Sequence, residues 1–399
     1  MIIAADRVIT GDGSTVLENA AVAVEGKKIL ALGTAEELTE RFPGQELVTL
    51  DGCTLLPGMV DMHTHIAYGG GESPDGTDEN KLIKTLFAGR RMENTLKAGV
   101  TTIRDVASPD GIVPALKKAA AAGYIRSPRI LTSLRGLCIT GGHGWNMTAS
   151  VYEVDGVEEV RRAVRLNIRN GADCIKLLDS EGYRGEEFNQ EELNAAVAEA
   201  HRFGVRVAAH AGYDPSMEMC INAGCDSIEH GTHLTVEQAL RMKENDQTWV
   251  PTIYVFNYVY DQVKAKQGGS MEAHADYLED SVSAYRDNFK KLYDTGVRVA
   301  TGTDTDCCDH PQASPVALEC RYMVDCGITP LQAIGAATWN GALALGLGDK
   351  LGLLKEGYLA DLVAVRGDAA QDIDSLTRVV SVWQEGTCVY ESESAHLRK

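Results

Sequence analysis

The chain has 399 residues, with 38 Lys and Arg against 57 Asp and Glu, which gives a formal net charge of −19. Such an acidic chain repels nucleic-acid phosphates and anionic lipid headgroups, so neither nucleic acid nor a membrane surface is an expected partner. The first residues, "MIIAADRVITGDG", lack the features of a signal peptide, and no apolar run approaches the roughly 20 residues that cross a bilayer. We therefore predict a soluble cytoplasmic protein.

The cysteines support this compartment. The ten cysteines are scattered, none forms a Cys-x-x-Cys pair, and several lie in apolar runs such as "ADCIKLL". A buried free thiol behaves as a small hydrophobic group, so we predict reduced cysteines rather than disulfides.

Both ends of the chain carry short β-rich segments bounded by turn residues. The N-terminal segment contains "MIIAADRVIT", "AAVAVEGKKILALG" and "ELVTLDGCTLLPG", and the C-terminal segment contains "ADLVAVRGD" and "VVSVWQEGTCVY". We expect residues 1–56 and 357–399 to form one small β-sandwich domain that flanks the rest of the chain.

Residues 57–356 follow a different pattern, in which apolar strand-like runs alternate with stretches of helical period. The eight runs are "GMVDMHTHI", "VTTIRDV", "PRILTSL", "CIKLLD", "VRVAAHA", "DSIEHGT", "TWVPTIY" and "VRVATGTD". One intervening helix, "NQEELNAAVAEAHRFG", has a polar cap, an acidic first turn and an expected end at Gly204. Eight alternations of strand and helix predict an α/β fold with a parallel (β/α)8 TIM barrel, a size that suits residues 57–356.

Six side chains that can bind metal stand at the predicted carboxyl ends of the barrel strands, where the reactive groups of such barrels lie. They are His63 and His65 on the first strand, Lys176 on the fourth, His210 on the fifth, His230 on the sixth and Asp304 on the eighth. Alternate residues of a strand point to the same face, so His63 and His65 can hold one object together. We expect all six side chains to converge at one mouth of the barrel.

This ordered set resembles the amidohydrolase superfamily, and the resemblance covers essentially the whole chain. It implies a binuclear metal centre in which His63, His65 and Asp304 hold one divalent ion and His210 and His230 hold the other. It further implies that Lys176, carboxylated by carbon dioxide, bridges the two ions together with a hydroxide. Zinc is the expected metal, although imidazole and carboxylate ligands also suit manganese, cobalt and iron.

The chemistry implied by the resemblance is hydrolysis by the metal-bridging hydroxide. Asp304 would accept the proton as attack proceeds and pass it to the departing amine. The alternative role of Asp304 is to cap the next element, although Asp306 is a plausible cap instead. His143, in "TGGHGW", is the candidate for stabilising the developing oxyanion, and its alternative role is a hydrogen bond within a glycine-rich loop.

Other residues near the predicted mouth are less specific signals. Tyr254, at the end of the seventh strand, could bind a substrate carboxylate or carbonyl, or could belong to an aromatic patch that packs a lid. We expect His233 to be a loop residue or to support a ligand rather than to be a seventh ligand. Cys307 and Cys308 could contact substrate, although adjacent thiols in a loop more often serve packing.

The branch of the superfamily bears on the substrate. Its deaminase-like branch lacks the bridging lysine and carries a glutamate three residues after the strand-five histidine, where this chain has Tyr213. The segments "GVTTIRDV", "GADCIKLL" and "SIEHG" instead resemble the group of amidohydrolase-type prolidases and Xaa-Arg or Xaa-Lys dipeptidases. That resemblance implies cleavage of the amide bond of dipeptides or N-acyl amino acids. The segments "LLDSEGY" and "DCCDHPQ" depart from the group, which leaves the substrate open.

Two alternatives remain. The same site could hydrolyse cyclic amides, lactones or other carbonyl substrates, because fold and metals do not select the acyl group. The chain could also be a non-catalytic oligomeric scaffold, but such a relative would be expected to have lost ligands, and this chain keeps all six. The resemblance also implies a homo-oligomer.

Overall fold

The computed structural model describes residues 1–67, 77–147, 149–179, 187–265, 275–305 and 315–393. Its strands are β1 Ile2–Ile9, β2 Val16–Glu25, β3 Lys28–Gly33, β4 Leu47–Pro57, β5 Met59–Thr64, β6 Val100–Asp105, β7 Arg129–Thr132, β8 Gly136–Cys138, β9 Val151–Glu153, β10 Cys174–Leu178, β11 Arg206–Ala211, β12 Ser227–His230, β13 Thr248–Val250, β14 Arg298–Val299, β15 Leu362–Arg366, β16 Val379–Gln384 and β17 Thr387–Glu391.

The α-helices of the described residues lie mostly between the strands of the central region. They are α1 Ala35–Arg41, α2 Asp78–Lys97, α3 Ile112–Ala121, α4 Val157–Arg169, α5 Gln190–Arg202, α6 Ser216–Ala223, α7 Val236–Glu244, α8 Ile253–Ala265, α9 Ala275–Tyr293, α10 Val316–Asp325, α11 Pro330–Gly335 and α12 Gly341–Ala344. A π-helical turn, Ala336–Asn340, joins α11 to α12, and a 3-10 helix covers Ile373–Thr377.

Strands from both ends of the chain form one seven-stranded sheet, in the order β17-β16-β15-β4-β1-β2-β3. The two ends meet at β4, which pairs with β1 in parallel and with β15 in antiparallel orientation. Buried apolar side chains from both ends, among them Ile3, Leu55, Leu362 and Trp383, pack into one core. The prediction that both termini build one flanking sheet domain is therefore confirmed.

The central region is a barrel of parallel strands, in the chain order β5, β6, β7, β10, β11, β12, β13 and β14. Two junctions close the ring. The Met62 N–H donates to the Thr301 carbonyl at 2.9 Å beyond β14, and the Asp173 N–H donates to the Thr132 carbonyl at 2.7 Å between β7 and β10. The predicted (β/α)8 barrel is confirmed.

Two short strands, β8 and β9, were not predicted. They extend the sheet beside β10 in the order β10-β8-β9, with parallel pairing. Each has three residues, which is too short for an alternating pattern to stand out in the sequence. They place the glycine-rich segment that contains His143 next to the barrel mouth.

Local sequence explains the helix boundaries that were predicted. The Asn189 side chain accepts a hydrogen bond from the Glu192 N–H, and the Glu192 side chain accepts one from the Asn189 N–H, so α5 begins with a reciprocal capping box. The helix ends at Arg202, and Gly204 then adopts φ +70°, a left-handed conformation that favours glycine. Both ends agree with the prediction.

The eight cysteines within the described residues are free thiols, as predicted. None of the described helices combines the length and the apolar character that a membrane crossing needs. The domain boundaries between residues 56 and 57 and between residues 356 and 357 stay a prediction.

Candidate metal centre

The six predicted ligand positions lie at or just beyond the carboxyl ends of barrel strands. His63 lies within β5 and His65 directly follows it, Lys176 lies within β10, His210 within β11, His230 ends β12, and Asp304 lies beyond β14. Parallel strands of a barrel bring these ends to one face. Residues that are far apart in the sequence therefore lie close together in the fold.

The four imidazoles and the Asp304 carboxylate of this cluster lie close together. The Asp304 Oδ1 atom is 3.1 Å from His65 Nε2 and 3.7 Å from His63 Nε2. Ring centroids are 5.0 Å apart between His63 and His230 and 4.4 Å apart between His230 and His210. Ligand atoms of His63, His230 and Asp304 lie within 4.8 Å of one another, so these three side chains could hold one ion. The two predicted ligand groups are therefore parts of one continuous cluster.

Lys176 is the most unusual member of this set. Its side chain is fully buried, and its Nζ atom has no hydrogen-bond partner among the described residues. Burial lowers the pKa of Lys176 to about 8, although the carboxylates of Glu229 and Asp304 oppose that shift. A buried ammonium without a partner is costly, and a pKa of about 8 makes the neutral amine accessible near neutral pH. A buried amine with an accessible neutral form, beside imidazole and carboxylate donors, fits a carboxylated lysine that binds divalent metal.

Burial of the imidazoles and the charges around Asp304 keep the other donors in the forms that bind metal. Burial lowers the pKa of His63 to about 4 and holds the pKa values of His210 and His230 well below the usual range. These imidazoles are therefore neutral at pH 7, with a lone pair available. Burial alone would raise the pKa of Asp304, but His63 and His65 outweigh it and hold that pKa below its usual range. Asp304 is therefore a carboxylate.

An ionic network inside the barrel supports the cluster, and the sequence analysis missed it. Glu229 Oε2 lies 2.8 Å from His63 Nδ1, and Glu229 Oε1 accepts hydrogen bonds from Arg104 at 2.7 Å and from Ser227 at 2.5 Å. Arg104 also donates to the Met62 carbonyl at 2.6 Å. The available signal was an opposite pair of charges, one in each of two predicted strands, "TTIRDV" and "DSIEHG". The sequence does not show that Arg104 and Glu229 are in contact, because that contact forms only when their strands are arranged in the barrel.

Backbone conformation at two of the candidate ligand positions is strained. His230 has φ +65° and Asp304 has φ +49°, which is a left-handed conformation that non-glycine residues rarely adopt. Such strain persists where surrounding structure fixes it, and it clusters at functional sites.

Gly302 allows the close approach of the eighth strand to the first, because a Cβ atom there would lie 2.8 Å from His63 Cβ and 2.5 Å from a Val250 methyl group.

His143 lies against the cluster from the loop after β8. Its ring stacks on that of His210 with centroids 4.1 Å apart, and its backbone N–H donates to Glu187 at 2.6 Å. The His143 ring therefore lies beside one of the candidate ligands, His210. Its role toward a substrate stays a prediction.

The predicted location of Tyr254 at the end of a strand is wrong. Strand β13 ends at Val250, and Tyr254 lies in the first turn of α8, where it is buried and stacks on Tyr258 at 5.6 Å. The reason is that Glu319 accepts the backbone N–H groups of Ile253 and Tyr254, which fixes the start of a helix there. An aromatic run can serve a strand or a helix equally well, and this tertiary contact decides between them.

The remaining candidates lie further from the ligands or outside the described residues. His233 pairs with Asp280 at 2.9 Å and packs on the Tyr213 ring at 4.2 Å, so it is engaged at the barrel mouth rather than among the ligands. Cys307 and Cys308 lie outside the described residues.

Comparison with known proteins agrees with this geometry. The pattern of the amidohydrolase family matches residues 54–389. The chain belongs to the amidohydrolase family. A shorter segment, residues 20–44, matches an imidazolonepropionase-like composite domain of bacteria. The family members compared below carry the names of hydrolases, and this chain is accordingly a hydrolase.

Two similar proteins are informative about the branch of this amidohydrolase. Ochratoxinase of Aspergillus niger is 32% identical, over 96% of this chain and 85% of that protein, and its crystal structure superposes with a TM-score of 0.84 at 30% identity, over 97% and 94% of the two chains. The crystal structure of a Xaa-Pro dipeptidase with methionine bound in its active site has a TM-score of 0.86 at 30% identity, over 98% and 99% of the two chains.

Proposed function

We propose that this amidohydrolase cleaves the amide bond of dipeptides or N-acyl amino acids with the help of two divalent metal ions. The observation that carries the proposal is the buried Lys176 amine, without a hydrogen-bond partner among the described residues, beside four imidazoles and the Asp304 carboxylate. The names of the similar proteins, Xaa-Pro dipeptidase and ochratoxinase, support the amide class of substrate.

The proposed ligand assignment follows the order of the strands. His63, His65 and Asp304 would hold one ion, His210 and His230 would hold the other, and carboxylated Lys176 would contribute to both sites. Zinc is the proposed metal because it accepts imidazole and carboxylate ligands and supports hydrolysis. When bound, the ions lower the pKa of a water molecule and polarise the scissile carbonyl group.

Asp304 and His143 supply the proton transfer and the charge stabilisation. Asp304 is ionised, so it has a carboxylate oxygen that would accept a proton from the attacking water. The same oxygen then donates that proton to the nitrogen of the departing amine. His143, whose ring lies against His210, would donate a hydrogen bond to the carbonyl oxygen as negative charge develops there.

Substrate selection is assigned to groups around the mouth. Tyr254, buried in the first turn of α8, is proposed to contact the substrate carboxylate or carbonyl group. A substrate with a free carboxylate would thereby be held with its amide carbonyl over the cluster. A cytoplasmic location stays a prediction.

The test is amine release by zinc-loaded protein from a panel of L,L-dipeptides and N-acyl amino acids that vary in the C-terminal residue. We expect turnover concentrated on one class of C-terminal residue, and we expect Asp304→Asn, prepared in the same way, to lose it. Bound metal is measured in the same samples. A protein that holds two ions per chain and releases amine from none of these compounds would contradict the proposed substrate class.

A further inference from the structure

Helix α2 presents an apolar stripe to solvent. Leu82 and Leu86 are 67% and 77% exposed, and Ile83 and Phe87 are 38% and 36% exposed. The four residues recur at spacings of three and four, so they lie on one face of the helix. A surface helix normally places polar residues on its outer face, and contiguous exposed apolar groups mark interaction sites.

A groove beside the stripe extends this apolar surface. The groove, of about 800 Å³, lies between α2 and the segment that contains α3. Leu86, Gly89, Ala115 and Ala119 contribute to its lining, and Tyr124, which is 84% exposed, stands at its edge. Small residues at Gly89, Ala115 and Ala119 leave room for the side chains of a second helix.

The charges that flank the stripe make the helix complementary to itself. Exposed acidic residues, Asp78 and Glu79, precede the stripe, and Arg90 and Arg91 follow it. If two copies of α2 lie antiparallel about a two-fold axis between residues 84 and 85, Leu82 faces Phe87 of the second copy. Ile83 then faces Leu86, and Glu79 faces Arg90. Each apolar residue meets an apolar residue, and each acidic residue meets a basic one.

We propose that α2 forms the centre of a two-fold interface between two copies of this chain. A two-fold interface uses the same surface on both copies, so it requires a surface that is complementary to itself. The stripe, with an apolar middle and opposite charges at its two ends, meets that requirement. The helix of 20 residues is about 30 Å long, which lets both charged ends engage at once. This inference does not depend on the proposed reaction.

The first experiment measures mass in solution by sedimentation equilibrium over a range of protein concentrations. The wild-type chain is expected to be a dimer or a multiple of dimers. Leu86→Glu, placed in the middle of the stripe, should raise the dissociation constant by at least about 30-fold and halve the mass at moderate concentration. The matched control is Leu240→Glu on α7, since Leu240 is also a partly exposed leucine, at 44%, but lies outside the stripe. It should leave the mass unchanged.

The second experiment distinguishes a second copy from any other partner. Arg90→Glu places two acidic side chains together at each end of the proposed interface and should weaken association about tenfold. Glu79→Arg places two basic side chains together there and should weaken association to a similar degree. The double variant that carries both changes should restore the wild-type mass. Far-UV circular dichroism checks that each variant is folded.

Three results would overturn the proposal. The first is a monomeric wild-type chain, and binding of that monomer to anionic lipid vesicles through the stripe would assign the surface to a membrane instead. The second is an unchanged mass for Leu86→Glu. The third is a double charge reversal that associates no better than the single variants, because antiparallel pairing of α2 requires the restoration.

Discussion

At the scale of single residues, the environment of His63 determines which of its nitrogen atoms can bind metal. Its Nδ1 atom lies 2.8 Å from a Glu229 oxygen, and its Nε2 atom lies 3.7 Å from Asp304. Arg104 and His63 hold the pKa of Glu229 below its usual range although burial opposes them, so Glu229 is a carboxylate and can only accept. The proton of neutral His63 therefore lies on Nδ1, which leaves the lone pair of Nε2 directed into the cluster.

Glu229→Gln tests this arrangement. A glutamine amide can donate to Nδ1, which would move the imidazole proton to Nε2 and remove that lone pair. We expect metal affinity to fall by about 10- to 100-fold. Titration of the metal-free protein with zinc measures the change, and Glu192→Gln, at a buried glutamate of the α5 cap, is the control. Unaltered zinc affinity in Glu229→Gln would contradict the assigned tautomer.

Lys176→Ala tests the proposal that carboxylated Lys176 is a ligand of both metal ions. Removal of the amine takes away the group that carbon dioxide can carboxylate, so we expect loss of both turnover and the second bound ion. Metal content per chain and amine release are the two measurements, and Lys291→Ala, at an exposed lysine, is the control. If Lys176→Ala retained two ions and the full rate, Lys176 would not be a shared ligand.

At the scale of secondary-structure elements, Glu319 connects two helices near the barrel mouth. Its oxygens, on α10, accept the N–H of Ile253 at 3.0 Å and the N–H of Tyr254 at 2.6 Å, in the first turn of α8. Those N–H groups have no partner within their own helix, because the first turn of an α-helix leaves its donors unsatisfied. Burial raises the pKa of Glu319 to about 8, although both donors favour the carboxylate. The contact fixes where α8 begins and therefore where Tyr254 lies.

Glu319→Ala should remove acceptors from two buried donors. We expect the free energy of unfolding to fall by about 1–3 kcal/mol for each donor left without a partner. Glu319→Gln, which keeps one acceptor oxygen and the shape of the side chain, should cost less. Urea unfolding monitored by circular dichroism measures both. Equal stabilities for the two variants would show that the hydrogen bonds to α8 contribute little.

At the scale of the whole molecule, the terminal sheet and the barrel are joined by an ionic network. Arg129, in barrel strand β7, donates to Asp361 at 2.9 Å and to Glu385 at 3.1 Å, and both acceptors belong to the C-terminal part of the chain. The Glu385 N–H also donates to Asp361 at 2.8 Å. Asp361 is almost completely buried, so its charge is compensated by these partners. The C-terminal segment is thereby fixed to β7, the third strand of the barrel.

The buried histidines make the stability of the metal-free protein depend on pH. The pKa of His63 is about 4 in the folded chain against the ordinary value of 6.5, so between these values the unfolded chain binds more protons. The free energy of unfolding therefore falls as the pH is lowered from 6.5 toward 4. The lowered pKa values of His210 and His230 act in the same direction.

Urea unfolding of the metal-free protein at several pH values between 8 and 4 checks this expectation. His63→Asn removes one of the buried imidazoles and should show a shallower decline below pH 6.5. A wild-type stability that stays constant down to pH 4 would contradict the burial of neutral histidines in the cluster.

The sequence by itself determined the barrel, the flanking sheet built from both termini, and the order in which the candidate ligands occur. These features depend on local periodicity, helix caps such as Asn189, and the rule that strand ends of a parallel barrel share one face. The cluster of His63, His65, His210, His230 and Asp304 could therefore be predicted without coordinates.

Only the tertiary structure decided how those residues are supported. Arg104 and Glu229 are 125 positions apart in the chain, and their contact with each other and with His63 depends on how strands pair across the barrel interior. Tyr254 lies in a helix because of Glu319, 65 positions further along the chain. Local periodicity carries no information about such pairs, since the free energy that fixes them comes from burial and hydrogen bonds formed only after the strands and helices have packed.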